Sequence, residues 1–394
     1  MLIPFLDLAR DFAAVEADAR RRIDGVLSRQ QFVLGPETAE LEDALRRRLG
    51  TTAAIAVSSG TEALSLSLLA LGIGPGDAVV LPAFTFFASA GAVARAGALP
   101  VFCDIDRESF LAGGGQMRAT IEREFRLEGG LLRHRSSGAK LAALMPVHLY
   151  GRACVMADIL ELARETGAKV IEDAAQAIDA RVGATSVGRF GDTGCFSFYP
   201  TKNLGGAGDG GLVICEDARL AARLVRLRSH GCEDGGYEHH EVGVNARMAE
   251  LLAAVLTAKL ACLDAWTARR RALALRYTAE LGDAAGRGVL ELPAPADAGT
   301  HVWHQYAVRV PGASRRDRVK QILEEQGIAT RVFYPLPLHL QPGFAGLGGK
   351  AGDLPGAEAA AREVLCLPIY PSLGDAAASR VAEALARAAG VSGP

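Results

Sequence analysis

The chain has no surplus of positive charge: Lys and Arg number 43 against 45 Asp and Glu, a net charge of −2. A nucleic-acid binder normally carries a basic excess, so that class of partner gains no support. Cysteines are few and scattered, at Cys103, Cys154, Cys195, Cys215, Cys232, Cys262 and Cys366. No two form a CxxC pair, so no metal site is expected, and the odd count does not suit a secreted disulfide framework. No uninterrupted apolar run approaches the roughly 18 residues that a membrane span needs. The opening MLIPFLDLARDF has no basic region leading an apolar stretch, so no signal peptide is indicated. Repeats and low-complexity arrays are also missing. These absences lead to the expectation of a cytoplasmic protein without nucleic-acid or membrane partners.

What is present suits a large globular chain. Its 394 residues are 49% hydrophobic and 22% charged, enough for one large or two ordinary domains. From Ala53 to Cys215 short apolar runs alternate with amphipathic stretches. The spacing predicts strands at Ala53–Val57, Ala78–Leu81, Leu99–Cys103, Leu141–Val147, Lys169–Glu172, Cys195–Phe198 and Leu212–Cys215. Helices are predicted at Glu62–Leu71, Ala88–Ala96 and Met156–Thr166. Such alternation implies an α/β fold with a mostly parallel sheet covered on both faces, and ligands beyond the carboxyl ends of its strands. After Gly231 a polar stretch, Glu233–Glu241, leads to one long helical pattern from Met248 to about Leu281. A strand at Gln305–Val310 and helices near Arg316–Gln326 and Ala357–Val364 follow. This predicts a large domain over residues 1–250, with an N-terminal arm, and a smaller α+β domain over 251–394. The segment Phe110–Lys140, with Arg118, Arg123, Arg126, Arg133 and Arg135, reads as an insertion. A solvated loop and surface helix is the reading preferred for it, with substrate-facing arginines as the alternative.

Four pieces of sequence carry candidate chemistry. Ser58-Ser59-Gly60-Thr61 joins a strand to a helix, where free N–H groups and the helix dipole suit a phosphate; the same pattern also serves as a plain helix cap. Ile171-Glu172-Asp173-Ala174-Ala175-Gln176 ends a strand and sets Asp173 and Gln176 over a pocket floor. An anionic Asp there keeps a pyridine nitrogen protonated, which makes the ring an electron sink; a helix cap is the alternative. In Phe196-Ser197-Phe198-Tyr199-Pro200-Thr201-Lys202-Asn203 a strand delivers Ser197, and Lys202 follows on a glycine-rich turn. A lysine held among aromatic residues and glycines loses hydration, which lowers its pKa and frees the amine for imine chemistry. Pro82-Ala83-Phe84-Thr85-Phe86-Phe87 follows another strand, and Phe86 is the ring chosen to stack on a flat cofactor, with core packing as the alternative.

The sequence resembles the DegT/DnrJ/EryC1/StrS family of pyridoxal-phosphate-dependent sugar aminotransferases. The likeness runs from PFLDL at Pro4 through FVLGPE, SSGTEAL, GPGDAVVLPAFTF, PVHLYG, VIEDAAQA, FSFYPTKNLGGAGDGG and HVWHQYAVRV to YPLPLHLQP at Tyr334. The resemblance implies the aspartate aminotransferase-like fold (fold type I) and a homodimer with shared active sites. It also implies pyridoxal 5'-phosphate (PLP) as cofactor, with the pyridoxamine form as intermediate. By matching position, Lys202 carries the cofactor as a Schiff base and shuttles protons, Asp173 pairs with the pyridine nitrogen, Gln176 meets the ring hydroxyl and Phe86 stacks. Gly60, Thr61 and Ser197 hold the phosphate, which Asn245 reaches from the other subunit. His148, Tyr150, Tyr334 and His339 lie towards the sugar. The implied reaction moves an amino group from an amino-acid donor, L-glutamate, to a keto-sugar nucleotide. Related dehydratases replace the lysine with histidine, so Lys202 favours transamination, while the 110–140 segment is longer than the family pattern. A cyclitol or other non-nucleotide ketone as acceptor is an alternative. A PLP-binding regulator without turnover is another, and the intact Lys202, Asp173 and Gln176 weigh against it.

Overall fold

The computed structural model describes residues 2–233, 236–297 and 299–391. The apolar runs become the strands of one nine-stranded sheet. Its main path runs Ala53–Val57, Gly211–Cys215, Thr193–Ser197, Lys169–Asp173, Lys140–Leu144, Asp77–Pro82 and Leu99–Cys103. Every pairing from Thr193–Ser197 out to Leu99–Cys103 is parallel, and Gly211–Cys215 runs antiparallel to both its neighbours. That geometry brings Val57, Pro82, Asp173 and Ser197 to the same edge, the carboxyl ends of their strands.

Both faces of the sheet are covered because side chains alternate along each strand. Val80, Leu144 and Val170 pack with Met156, Ile159 and Leu162 of the helix Met156–Thr166. Val79, Ala143 and Ile171 pack on the other side with Leu64 and Leu68 of the helix Gly60–Ala70. Near-continuous apolar strands are what such a doubly covered sheet requires.

Three features depart from the expectations. The long pattern after Met248 forms two helices, Glu250–Leu260 and Leu263–Gly286, bent by 61°. Leu252, Leu256 and Leu263 belong to the sheet-side core, whereas Leu273, Tyr277 and Leu281 belong to the C-terminal one. Burying a Leu is worth about 1.5–3 kcal/mol, so each helix is committed to its own core and the chain turns at Ala261-Cys262. Leu263 thus packs with the sheet-side core and Leu273 with the C-terminal one, while Ala307, Leu354, Ala357 and Cys366 return to the sheet side. The first residues also belong with the C-terminal core: Ile3 packs there, and its backbone exchanges hydrogen bonds with Gly327 and Ala329.

The third departure is the 110–140 insertion. After the helix Gly114–Glu124 it forms a hairpin, Phe125–Glu128 with Leu131–His134, which meets the main sheet at Arg133 and Lys140. Lys140 begins its strand, so the hairpin lies at the amino edge, opposite the ends bearing Asp173 and Ser197. Its arginines are occupied locally. Arg118 pairs with Glu165 (2.6 Å), Arg123 with Glu124 (2.7 Å) and Arg126 with Glu128 (3.0 Å), while Arg133 donates to Gly138 O (3.0 Å) and Arg135 to Arg123 O (3.0 Å). The substrate-facing alternative for these arginines is not supported.

Candidate active site

A cavity of about 620 Å³ opens at the carboxyl edge of the sheet. Gly60, Thr61, Phe86, Asp173, Gln176, Ser197, Lys202 and Tyr334 all line it. One wall is the start of the helix Gly60–Ala70, where Ser59 caps by accepting from Glu62 N (3.1 Å). A Cβ on Gly60 would stand 2.7 Å from Ser197 Cβ, so only glycine lets the helix start approach the strand end this closely. The free N–H groups of this first turn, beside the Ser197 hydroxyl, form an anion cradle.

Asp173 is held before any ligand arrives. Its carboxylate accepts from Ser89 Oγ (2.7 Å) and from Ala175 N (3.1 Å). Thr85 Oγ1 lies 3.2 Å from Ser89 Oγ; since Ser89 gives its hydrogen to Asp173, Thr85 is the donor of that contact. Only 5% of Asp173 is exposed, so this carboxylate is fixed in direction and shielded from water.

Lys202 sits on the turn after the strand Thr193–Ser197, with its N–H donated to Tyr199 O (2.8 Å). A Cβ on Gly205 would fall 2.2 Å from Pro200 O, so the turn closes only over glycine. Buried Lys259 donates to Gly205 O (2.6 Å) and ties the turn from beneath. Burial lowers the Lys202 pKa to about 8, partly offset by the negative Asp173. About a tenth of the amine is therefore unprotonated at pH 7, far more than for an ordinary lysine, as a nucleophilic amine requires.

Phe86 keeps 56% of its surface exposed at the cavity wall, with its ring 6.0 Å from that of Tyr334. Gln176 Oε1 accepts from Tyr150 N (2.7 Å) and its amide donates to Tyr334 Oη (3.0 Å), which leaves one amide hydrogen free. A cradle for an anion, an oriented carboxylate, a desolvated amine and an uncovered flat ring share one cavity. This set fits a phosphorylated pyridine aldehyde, the cofactor that the sequence resemblance implies.

Four candidate residues are not brought to the cavity lining. His148 is fully buried: Nδ1 accepts from Cys154 N (3.0 Å) and Nε2 lies 3.0 Å from Glu172 Oε2. Glu172 also accepts from the N–H groups of Gly188, Phe190 and Gly191. Adjacent strand residues point to opposite faces, so the Glu172 side is not the Asp173 side, and His148 belongs to the former. Tyr150 stands behind the lining, its hydroxyl donated to Phe333 O and its backbone supporting Gln176. His339 is buried beside Glu358 (3.3 Å). Asn245 is exposed, its side chain accepting from Arg247 Nε (3.2 Å).

The lining also includes Ser89, Asp209, His304 and Gln305, none of them among the residues expected from the sequence. Asp209 lies in the GAGDGG run and His304-Gln305 in HVWHQYAVRV, so those motifs held the signal. Ser89 lay one helical turn after Thr85 with no motif to mark it.

Comparisons with known proteins agree with this geometry. The chain is 40% identical over 383 residues to a Streptomyces venezuelae protein named dTDP-3-amino-3,4,6-trideoxy-alpha-D-glucose transaminase, covering 97% of this chain and 95% of the relative. It is 42% identical over 386 residues to a Geobacillus stearothermophilus protein named pleiotropic regulatory protein, covering 98% of each. The crystal structure of S. venezuelae DesV in complex with a ketimine intermediate superposes with a TM-score of 0.90 at 39% identity, covering 98% of each chain. The DegT/DnrJ/EryC1/StrS aminotransferase model matches residues 14–386, and the chain belongs to that family.

Proposed function

We propose that this protein is a PLP-dependent aminotransferase that takes an amino group from L-glutamate and delivers it to the keto carbon of a nucleotide-linked deoxysugar. The observation that carries the reading is the desolvated Lys202 amine facing the same cavity as the pre-oriented Asp173 carboxylate. Bound PLP supplies an electron-withdrawing ring that stabilises negative charge on the substrate carbon. The chain's own groups bind and steer. The first turn of Gly60–Ala70 and the Ser197 hydroxyl receive the phosphate. Asp173, fixed by Ser89 and Ala175 N, holds the proton on the pyridine nitrogen. Gln176 offers its free amide hydrogen to the ring hydroxyl, and Phe86 covers one ring face. The Lys202 amine anchors the aldehyde carbon, and once released it moves the proton between the substrate carbon and the carbon it had held.

The protein works in this reading as a homodimer, with Asn245 reaching the phosphate of the partner's site. Its exposure and its absence from the lining of its own cavity support that assignment. The seven free cysteines suit a reducing cytoplasm. The regulatory name of the G. stearothermophilus relative favours a second reading, a PLP-bound regulator without turnover. The oriented carboxylate counts against it, since holding the cofactor as an imine does not need a partner for the ring nitrogen.

The test follows the cofactor's visible absorbance. L-Glutamate should bleach the yellow protein, and a dTDP- or UDP-linked keto sugar should restore the colour. Restoration only by a cyclitol or free ketone would move the acceptor to a non-nucleotide compound. No bleaching by any amino acid would favour the regulator. Mixed dimers of Lys202→Ala and Asn245→Ala chains should recover one intact site; inactive mixed dimers would refute sharing through Asn245.

A further inference from the structure

The polarity of a buried relay beside Lys202 follows from one carbonyl. Val302 O can only accept, so the Asn203 amide turns Nδ2 towards it (2.9 Å). Asn203 Oδ1 then faces His304 Nδ1 at 3.2 Å, and because an amide oxygen cannot donate, Nδ1 carries the imidazole hydrogen. Burial and the nearby positive Lys202 and Arg270 push the His304 pKa well below the usual imidazole range, so the ring is neutral and Nε2 is bare. Gln305 Nε2 lies 3.4 Å from that atom and is its donor. The amide oxygen of Gln305 is left over: it is buried and has no hydrogen-bond partner.

The segment is held in place. Arg270 donates to Trp303 O (3.1 Å), His304 O (3.4 Å) and Ile369 O (2.8 Å), and Gln305 N donates to Tyr150 O (3.2 Å). Gln305 borders the main cavity together with Lys202 and Tyr334, and it also borders a space of about 10 Å³ with room for at most one water. A buried acceptor without a donor is rare and costs stability, and binding sites retain such atoms for a ligand that completes them.

We propose that Gln305 Oε1 accepts a hydroxyl hydrogen of the amino-acceptor substrate, which makes Gln305 a specificity-determining residue. The inference rests on the sugar-nucleotide reading. A site built to satisfy a polar group rejects an analogue without the hydroxyl, because the protein atom is then left bare.

The experiment is a calorimetric titration of the PLP-loaded protein with dTDP- and UDP-glucose and their monodeoxy counterparts. One monodeoxy compound should bind wild type about 10- to 100-fold more weakly than its parent. Gln305→Met, similar in size but without a polar acceptor, should bind the parent that much more weakly and lose the discrimination. Gln305→Glu, which keeps an acceptor, should retain part of it. Wild type indifferent to every hydroxyl, with Oε1 satisfied by water, would overturn the proposal, as would undiminished discrimination in Gln305→Met. If Gln305→Met does not fold, Asn203→Leu serves instead. It frees the relay from Val302 and must weaken the same discrimination; an unchanged preference overturns the proposal. Failure of wild type to bind any sugar nucleotide, with L-glutamate still bleaching the cofactor, would refute the nucleotide reading together with this one. Binding without hydroxyl preference refutes Gln305 alone.

Discussion

Along the cavity floor, Asp173 and Ser197 end strands and Lys202 occupies the turn after one, so the sheet's own hydrogen bonds locate them. Along the opposite wall, His304, Gln305 and Tyr334 come from irregular segments of the C-terminal part. Side-chain contacts locate these: Asn203 on Val302 and His304, Arg270 on three carbonyls, and Gln176 on Tyr334. The floor is fixed by topology, which suits chemistry that must not vary. The wall is fixed by replaceable side chains together with the backbone bonds Val302 N to Gly151 O (2.9 Å) and Gln305 N to Tyr150 O (3.2 Å), which suits recognition tuned by substitution. Floor substitutions should therefore change turnover, and wall substitutions should change preference among substrates.

The largest effect should follow Lys202→Ala. Loss of the proton-moving amine should lower turnover by at least about 10²- to 10⁴-fold, measured in single turnover with L-glutamate. Borohydride reduction of the yellow wild type should fix the cofactor on the peptide containing Lys202. Fixation elsewhere would remove the floor from the chemistry. Asp173→Asn comes next: the cofactor stays bound through the remaining contacts, while turnover falls about 10²- to 10³-fold. Ser89→Ala, which removes the 2.7 Å bond to Asp173, should cost about 10-fold with cofactor affinity nearly unchanged. A variant that loses affinity and turnover equally would make Ser89 structural only.

The same comparison explains how much could be read from the sequence. The strands Ala53–Val57 and Leu99–Cys103 and the helix Met156–Thr166 lie where periodicity puts them, because local pattern and burial agree. The floor residues are legible for the same reason, since the end of an apolar run is visible in the chain itself. The wall is not. Which residues of HVWHQYAVRV reach the cavity depends on Arg270 and Asn203, far away in sequence. PVHLYG does not reveal which side of the neighbouring strand the His148 imidazole meets, and it packs on the Glu172 side. The hairpin Phe125–His134 had a signal in Gly129-Gly130, whose φ values of 60° and 77° form a tight two-residue turn. Flanking charges hid it. The bend at Ala261-Cys262 had no local sign, because it is imposed by two cores.

A smaller effect concerns the fold of the cofactor-free protein. The folded pKa of Lys202, about 8, lies below the ordinary 10.5, so between those values the unfolded chain binds a proton that the folded one does not. Stability from this group therefore rises with pH across that window, and below about pH 8 its burial penalises the fold in full. Lys202→Met removes the penalty. At pH 7 its cofactor-free form should melt about 4 °C above wild type, and the gap should close as the pH rises towards 10.5. A gap independent of pH would mean that the difference comes from packing.

The smallest effect should come from the insertion. Arg118, Arg126 and Arg133 are three of the five arginines whose alternative reading faces the substrate, yet each is engaged within or beside its own segment at the amino edge of the sheet. Exposed pairs of this kind contribute about 0–1 kcal/mol. Alanine at each position in turn should leave KM for the sugar nucleotide within about 2-fold of wild type, since no contact to the substrate is lost. Charge-assisted hydrogen bonds to a diphosphate would behave differently. Losing one would raise KM about 10-fold or more, with kcat little changed, and the effect would shrink at high salt. The three variants, assayed at low and high ionic strength, separate these outcomes. A salt-sensitive KM rise shared by all three would bring the hairpin to the nucleotide, in this chain or across a dimer. The wall would then extend to an edge of the sheet remote from the cavity of the same chain.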